Sequence, residues 1–133
     1  MDLPLPAVTP ETAPYWDGAR DGKLLLQRCL ACRAVRFYPR RTCPACWSPD
    51  VEWIEASGRG RIASFTVIHR PPAPAFAGRV PYVVALIDLD EGPRMMANVV
   101  GDRALEVAID DAVEVIFEAR GAVALPQFQR SAR

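Results

Sequence analysis

The chain has 133 residues, which makes it one domain or a small domain with an appendage, able to bury roughly two-thirds of the surface its unfolded form exposes. Lys and Arg together number 16, as do Asp and Glu, so the whole-protein field draws in neither nucleic acid nor an acidic membrane. The start of the chain (Asp2, Pro4, Pro6, Pro10, Glu11) lacks the basic flank and apolar run of an export signal, and the longest apolar run, Val80 to Ile87, is too short to span a bilayer, so a cytoplasmic protein is expected.

Residues 1–22 read as a helical segment. Thr9-Pro10-Glu11 looks like a helix start, with Thr as N-cap, Pro at the first helical position and an acid in the first turn. The helix carries Tyr15, Trp16 and Ala19 and ends near Asp21-Gly22, with Gly as the residue after the cap. Trp16 is either packing or, because a short terminal helix has little core of its own to join, a contact residue.

Residues 23–56 follow with two knuckles, Cys29-Leu30-Ala31-Cys32 and Cys43-Pro44-Ala45-Cys46, separated by ten residues and holding all four cysteines of the chain. Leu24-Leu25-Leu26 leads into the first knuckle as a strand, Val35 to Tyr38 returns from it, and Val51 to Glu55 leaves the second. Each C-x-x-C lets two thiolates converge on one tetrahedral ion at Zn–S distances near ~2.3 Å, and two knuckles fill the shell, leaving no position for a reacting water. The spacing favours structural zinc held by Cys29, Cys32, Cys43 and Cys46. Iron takes the same four sulfurs. A redox dithiol and two disulfides are the other readings, and disulfides suit exported chains. With zinc, the segment is a ribbon of short strands pinned by metal. Arg20, Lys23, Arg28, Arg33, Arg36, Arg40 and Arg41 crowd the knuckles against Asp17 and Asp21. They either offset the negative charge of a four-thiolate site or seat a phosphate-bearing ligand or acidic partner. Local neutralisation is the plainer account.

Residues 57–133 change pattern. The whole chain has thirteen prolines, about twice the usual ~5 % frequency, which favours turns and strands over long helices. Ser57-Gly58-Arg59-Gly60 reads as a hinge. Arg61 to Ile68 alternates, with Ala63, Phe65 and Val67 on one face; Tyr82 to Leu89 and Arg94 to Val100 are joined through Asp90-Glu91-Gly92-Pro93; Val113 to Phe117 alternates again, and Ala122 to Leu125 adds a short last strand. Five strands with no helix among them predict a small closed barrel of the OB type. The loop 71–79 between the first two strands is one that OB-folds use for ligands. Phe76 is its one large apolar side chain, followed by Arg79. It either folds back as a lid on the core or stands as an aromatic anchor with a charged neighbour.

The inventory of reactive groups is short. His69, the sole histidine, ends a strand and reads as a hydrogen-bonded structural residue rather than a general base. Asp88, Asp90 and Glu91 straddle a hairpin turn and read as solvated. Neither a phosphate loop nor a nucleophile elbow occurs. The chain reads as a binder or accessory, not a self-sufficient enzyme.

Seven segments in order, Pro10-Glu11-Thr12-Ala13-Pro14-Tyr15-Trp16, Leu24-Leu25-Leu26-Gln27-Arg28-Cys29, Arg36-Phe37-Tyr38-Pro39-Arg40, Cys43-Pro44-Ala45-Cys46, Ser57-Gly58-Arg59-Gly60, Ser64-Phe65-Thr66-Val67 and Leu89-Asp90-Glu91-Gly92-Pro93, carry a resemblance over residues 8 to 128. The chain resembles the zinc-ribbon/OB-fold proteins long labelled a domain of unknown function and associated with acyl-CoA metabolism. The resemblance implies a short N-terminal helix, a rubredoxin-like zinc ribbon and a C-terminal five-stranded OB barrel, mainly β overall. It also implies partners: thiolase-fold enzymes, including sterol side-chain aldolases, and MaoC-type hydratases. A CoA thioester is the implied ligand, and Trp16, Arg36, Arg40, Phe76 and Arg79 are the candidate contact residues. The chain departs from the family pattern where Gly is usual: Arg33 and Trp47 follow the second and fourth cysteines, and Gly is missing near Ile109-Asp110. The competing reading is a nucleic-acid-binding module, since ribbons and OB barrels both serve that purpose. Zero net charge and the lack of aromatic–basic interleaving argue against it.

Overall fold

Helix α1 (Ala13–Arg20) begins one turn later than Thr9-Pro10-Glu11 predicts. The Thr9 carbonyl accepts the N–H groups of Thr12 and Ala13 at 3.0 and 2.8 Å, and Thr9 N donates to Thr12 Oγ1 at 2.9 Å. The two threonines thus close a turn in front of the helix, Thr12 becomes the N-cap, and Pro14 occupies the first turn, where a missing N–H costs nothing. The far end is as expected: Gly22 sits at φ +80°, its N–H reaches Ala19 O at 3.0 Å, and Lys23 N reaches Gly18 O at 2.8 Å. This pair of bonds satisfies two carbonyls of the last turn. This computed structural model describes residues 3–131, so the outermost residues of the segments 1–22 and 57–133 lie outside it.

The ribbon is a three-stranded antiparallel sheet with β1 (Leu25–Cys29) between β2 (Val35–Arg36) and β3 (Val51–Glu55). Strand β2 is shorter than the predicted Val35–Tyr38, because Phe37 and Tyr38 leave it to set their rings edge-on against Tyr15, each at a centroid distance of 5.7 Å. Leu24 and Leu26 are almost fully buried, and Ala56 N bonds Leu24 O at 2.8 Å.

Strands β4 (Arg59–Ile68), β5 (Tyr82–Leu89), β6 (Arg94–Val100), β7 (Ala112–Arg120) and β8 (Val123–Arg130) close a barrel in the order β4-β5-β6-β8-β7. Only the β6–β8 pairing is parallel. This is the five-stranded OB-type barrel that the strand pattern predicts. Strand β4 carries a bulge: Ile62 pairs with Ile87 and Ser64 with Leu86, leaving Ala63 as the extra residue. The bulge moves the inward face from the expected Ala63, Phe65 and Val67 to Ile62, Phe65 and Val67, and Ile62 is fully buried. Strands β7 and β8 outrun their predicted lengths because they pair from Val113 with Arg130 to Arg120 with Val123.

The expected hinge is a clamped seam. At Gly58 φ is +81°, Val115 N donates to Gly58 O at 2.7 Å, and a Cβ there would stand 2.5 Å from Val115 Cγ1. Ser57 N bonds Glu91 Oε2 at 2.9 Å, so Glu91 fastens this seam instead of being solvated. Asp88 likewise holds Arg94 through two bonds, at 2.7 and 3.2 Å. Asp110, near the missing glycine, is left-handed at φ +71° and tied by its N–H to Ile62 O.

One buried cluster runs from Tyr15, Trp16, Leu24 and Leu26 through Ala56 to the barrel residues Ile62, Val83, Ile87, Val113 and Phe128. Helix, ribbon and barrel therefore share a core. The apolar run from Val80 to Ile87 resolves into two faces: Val83, Ala85 and Ile87 point inward, while Tyr82, Val84 and Leu86 face outward beside Met96 of β6. Among the described residues no helix is long and apolar enough to cross a membrane.

Candidate metal centre and aromatic cleft

The four cysteine sulfurs lie within 4.8 Å of one another. Cys29 Sγ is 3.5 Å from Cys46 Sγ and Cys32 Sγ is 3.7 Å from Cys43 Sγ, too long for disulfides. Such edges fit a tetrahedron with metal–sulfur bonds of about 2.3 Å. Cys29 and Cys43 are buried, whereas Cys32 and Cys46 lie at the surface. The knuckles are set by backbone bonds: Arg33 N to Cys29 O at 2.9 Å, Trp47 N to Cys43 O at 2.7 Å, and Cys32 N toward Cys29 Sγ at 3.4 Å. Both residues after the knuckles, Arg33 and Trp47, are left-handed at φ +70° and +67°, a conformation that glycine takes without steric cost. The bond from Cys32 N–H leads the lowering of the Cys29 thiol to about 6. Cys43 is also lowered, burial being outweighed by N–H bonds from Ala45 and Cys46. Cys46 is pushed up to about 12: Ser48 N–H pulls it down, but contact with the sulfurs of Cys29, Cys32 and Cys43, together with burial, prevails. Four thiols this close ionise together only around a cation, so the donor set fits zinc.

The basic stretch is largely neutralised by carboxylates. Arg28 and Arg33 share Glu52 at 2.9 and 3.5 Å, Arg41 holds Glu11, and Arg20 holds Asp17. The bond from Arg28 lowers Glu52 below the ordinary carboxylate range. Glu52 and Glu11 lie outside the basic stretch, and the local sequence gave no sign of them. Arg36 stands apart. It is 7 % exposed, its Nη2 donates to Arg40 O at 3.3 Å, and its Nε and Nη1 have no partner among the described residues. The Arg40 backbone N–H is held by Gln27 Oε1 at 2.9 Å, leaving the Arg40 side chain exposed.

Phe76 closes a short 3-10 turn, Pro74–Phe76, and is half-buried with its ring 6.0 Å from that of Tyr82. It lies over the outer barrel wall and not over the core. Arg79 is exposed and pairs with Glu118 at 3.3 Å. His69 is exposed and makes no hydrogen bond among the described residues, so the expected structural bond is not there.

Trp16 and Phe76 meet in a cleft of about 370 Å³. Its walls come from α1 (Tyr15, Trp16), the ribbon (Phe37, Tyr38) and the barrel (Met95, Met96, Asn98, Arg120, Gln127), with Phe76 and Tyr82 at one side. Tyr15 and Trp16 pack edge to face at 4.8 Å, and burial drives the Tyr15 hydroxyl well above its usual range. Asn98 and Gln127 fix each other: Asn98 N donates to Gln127 Oε1 at 2.9 Å, and Gln127 Nε2 to Asn98 Oδ1 at 3.2 Å.

Residues 16–52 match the family described as "ChsH2, rubredoxin-like zinc ribbon domain", and residues 53–118 the one described as "ChsH2, C-terminal OB-fold domain". A "Probable enoyl-CoA hydratase alpha subunit" of Thermomonospora curvata is 44 % identical over 98 residues, 74 % of this chain and 30 % of the relative. The "3-oxo-4,17-pregnadiene-20-carboxyl-CoA hydratase alpha subunit" of Mycobacterium tuberculosis is 40 % identical over 108 residues, 78 % of this chain and 32 % of the relative. The "Benzoylsuccinyl-CoA thiolase subunit BbsA" of Thauera aromatica is 31 % identical over 107 residues, 77 % of this chain and 63 % of the relative. The chain therefore spans about a third of the length of the two hydratase subunits. Among solved structures, "Ltp2-ChsH2(DUF35) aldolase" superposes with a TM-score of 0.83 at 37 % identity, covering 95 % of this chain and 98 % of that one.

Proposed function

The chain belongs to the DUF35 family of ChsH2-type zinc-ribbon/OB-fold proteins, and from that premise we propose that it is a non-catalytic accessory subunit of an acyl-CoA-processing enzyme. Its partner is a thiolase-fold enzyme or aldolase, in some assemblies with a MaoC-type hydratase, working in the cytoplasm. Its task is to help bind or pass along a CoA thioester, of the bulky kind named for the hydratase and thiolase relatives.

The observation that carries this reading is the disposition of the reactive groups. All four thiols are gathered into one metal-type cluster, and the sole histidine is exposed with no bonded partner among the described residues. That leaves the reacting thiol and bases to the partner. The outward face of β5–β6 carries Tyr82, Val84, Leu86 and Met96, and the guanidinium of Arg94 on it is paired with Asp88, which favours a protein or thioester over nucleic acid. The exposed Arg40 offers the cationic part of the contact, Arg36 being buried, and Phe76 with Arg79 the aromatic part.

Co-expression with the thiolase-fold enzyme of the same genome tests the role. The two chains should co-purify, and the pair should turn over a thioester that the enzyme alone processes poorly. Turnover by this chain alone, or no association with any such enzyme, sinks the reading. Phe76→Ala should weaken association by roughly 2 kcal/mol, measured by calorimetric titration, and leave the melting point of the isolated chain nearly unchanged. A lower melting point with unchanged affinity would remove the loop from the interface.

A further inference from the structure

We propose that the aromatic cleft binds the ring-bearing acyl end of a CoA thioester while the nucleotide end stays outside, an inference that rests on the accessory role just proposed. All three tyrosines of the chain, Tyr15, Tyr38 and Tyr82, line this one cleft, together with Trp16. Small-molecule sites are lined mainly by apolar and aromatic side chains, and a volume near 370 Å³ falls in their ~300–1,000 Å³ range. Aromatic walls favour rings, which they meet in offset or edge-to-face contact.

Two unpartnered donors sharpen the class. Trp16 is 8 % exposed, and its indole N–H is buried with no acceptor among the described residues. A buried indole N–H ordinarily finds one; this one is closed to solvent and meets a ligand oxygen such as the acyl carbonyl when the neighbouring side chains shift to admit it. Arg120, on the barrel side, donates Nη2 to Glu118 at 2.8 Å and Nη1 to Pro4 O at 3.2 Å, while its Nε is buried and unpaired.

The same inventory excludes the nucleotide end. Among the described residues that line the cleft Arg120 is the only charged one, and its two terminal nitrogens are already engaged. The phosphates of CoA call for free guanidinium forks or backbone N–H cradles, and the cleft provides neither. It accepts a neutral, ring-bearing acyl group with one or two acceptor oxygens.

The experiment uses the full zinc-loaded chain with 3-phenylpropionyl-CoA as the probe and free CoA as the control. The thioester should bind at least tenfold more tightly than free CoA by calorimetric titration. A ring-borne trifluoromethyl-diazirine analogue should label Tyr15, Tyr38 or Met96 on irradiation. Trp16→Phe, which removes the N–H together with part of a buried ring, should weaken binding about five- to tenfold when measured below its lowered melting temperature. Equal affinity for free CoA, label placed elsewhere, or a folded Trp16→Phe chain with unaltered affinity would each overturn the site. If that variant fails to fold, the position of the label decides. A chain that assembles with its enzyme yet takes up no thioester loses this site and keeps the accessory role. One that takes up the thioester but joins no enzyme keeps the site and loses the role.

Discussion

The ribbon has three strands, one of them two residues long, with open edges on both sides, whereas the barrel's five strands close into a ring. Strands that short and that few do not hold alone in water. The barrel buries Ile62, Val83, Ile87, Val113 and Phe128 completely, while the ribbon's own deepest groups are Leu24, Leu26 and the sulfurs of Cys29 and Cys43. Side-chain packing holds one region; in the other, four sulfurs are positioned to hold a metal ion. The two still meet in one core, so the difference lies in what each half depends on and not in where it ends.

Removing the metal should separate them most. Structural zinc is worth on the order of 10 kcal/mol in small finger peptides, and much of that is folding free energy. After chelation, or in Cys29→Ser, amide exchange should show residues 25–55 unprotected while the barrel strands keep their protection. Loss of protection in both halves at once would show that the halves are one cooperative unit. The converse perturbation is Phe128→Ala, which empties the barrel centre and should cost about 3–5 kcal/mol in denaturant unfolding. The folded mutant should hold as much zinc as the parent; metal lost in step with stability would break the distinction.

The seam comes next. Gly58→Ala places a Cβ 2.5 Å from Val115 Cγ1 at a left-handed φ, and should cost about 1–3 kcal/mol. A mutant as stable as the parent would mean that the seam yields as a hinge does. The smallest effects belong to the knuckles. Arg33→Gly and Trp47→Gly relieve left-handed non-glycine residues and should strengthen zinc retention by up to about 1 kcal/mol each, part of the gain being offset by glycine's freedom in the unfolded chain. Competition against a chromophoric chelator reads this, and tenfold weaker retention would contradict it.

The sequence was most readable where chemistry is local. Two C-x-x-C knuckles announce a tetrahedral donor set, and β3, β5 and β6 run over the residues expected for the exit from the second knuckle and on either side of the Asp90-Glu91-Gly92-Pro93 turn. It was least readable where a distant strand decides. Ala63 became a bulge only because β5 sets the register opposite, and Gly58 turned from hinge to seam because Val115, far along the chain, closes on it. The helix starts after Thr12 and not after Thr9 because the Thr12 hydroxyl turns back to accept the Thr9 N–H and closes a separate turn, a pairing that neither residue shows alone. The cleft carries no local signal at all. Its walls run from Tyr15 to Gln127, and each residue alone reads as ordinary core or surface.

The packing of α1 on β8 has a consequence for how the chain is made. The first helix ends at Arg20, but the strand it rests on begins at Val123 and is the one that completes the barrel. At ribosomal speeds of about 5–20 residues per second, Tyr15 and Trp16 wait roughly 5–20 s with only the ribbon's side, Phe37 and Tyr38 included, to pack against. The ribbon is fully synthesised once Glu55 has emerged and can take its metal while the barrel is still growing. Helix docking and barrel closure then fall together once β8 has emerged, a delay that local contacts cannot shorten because both events require that strand.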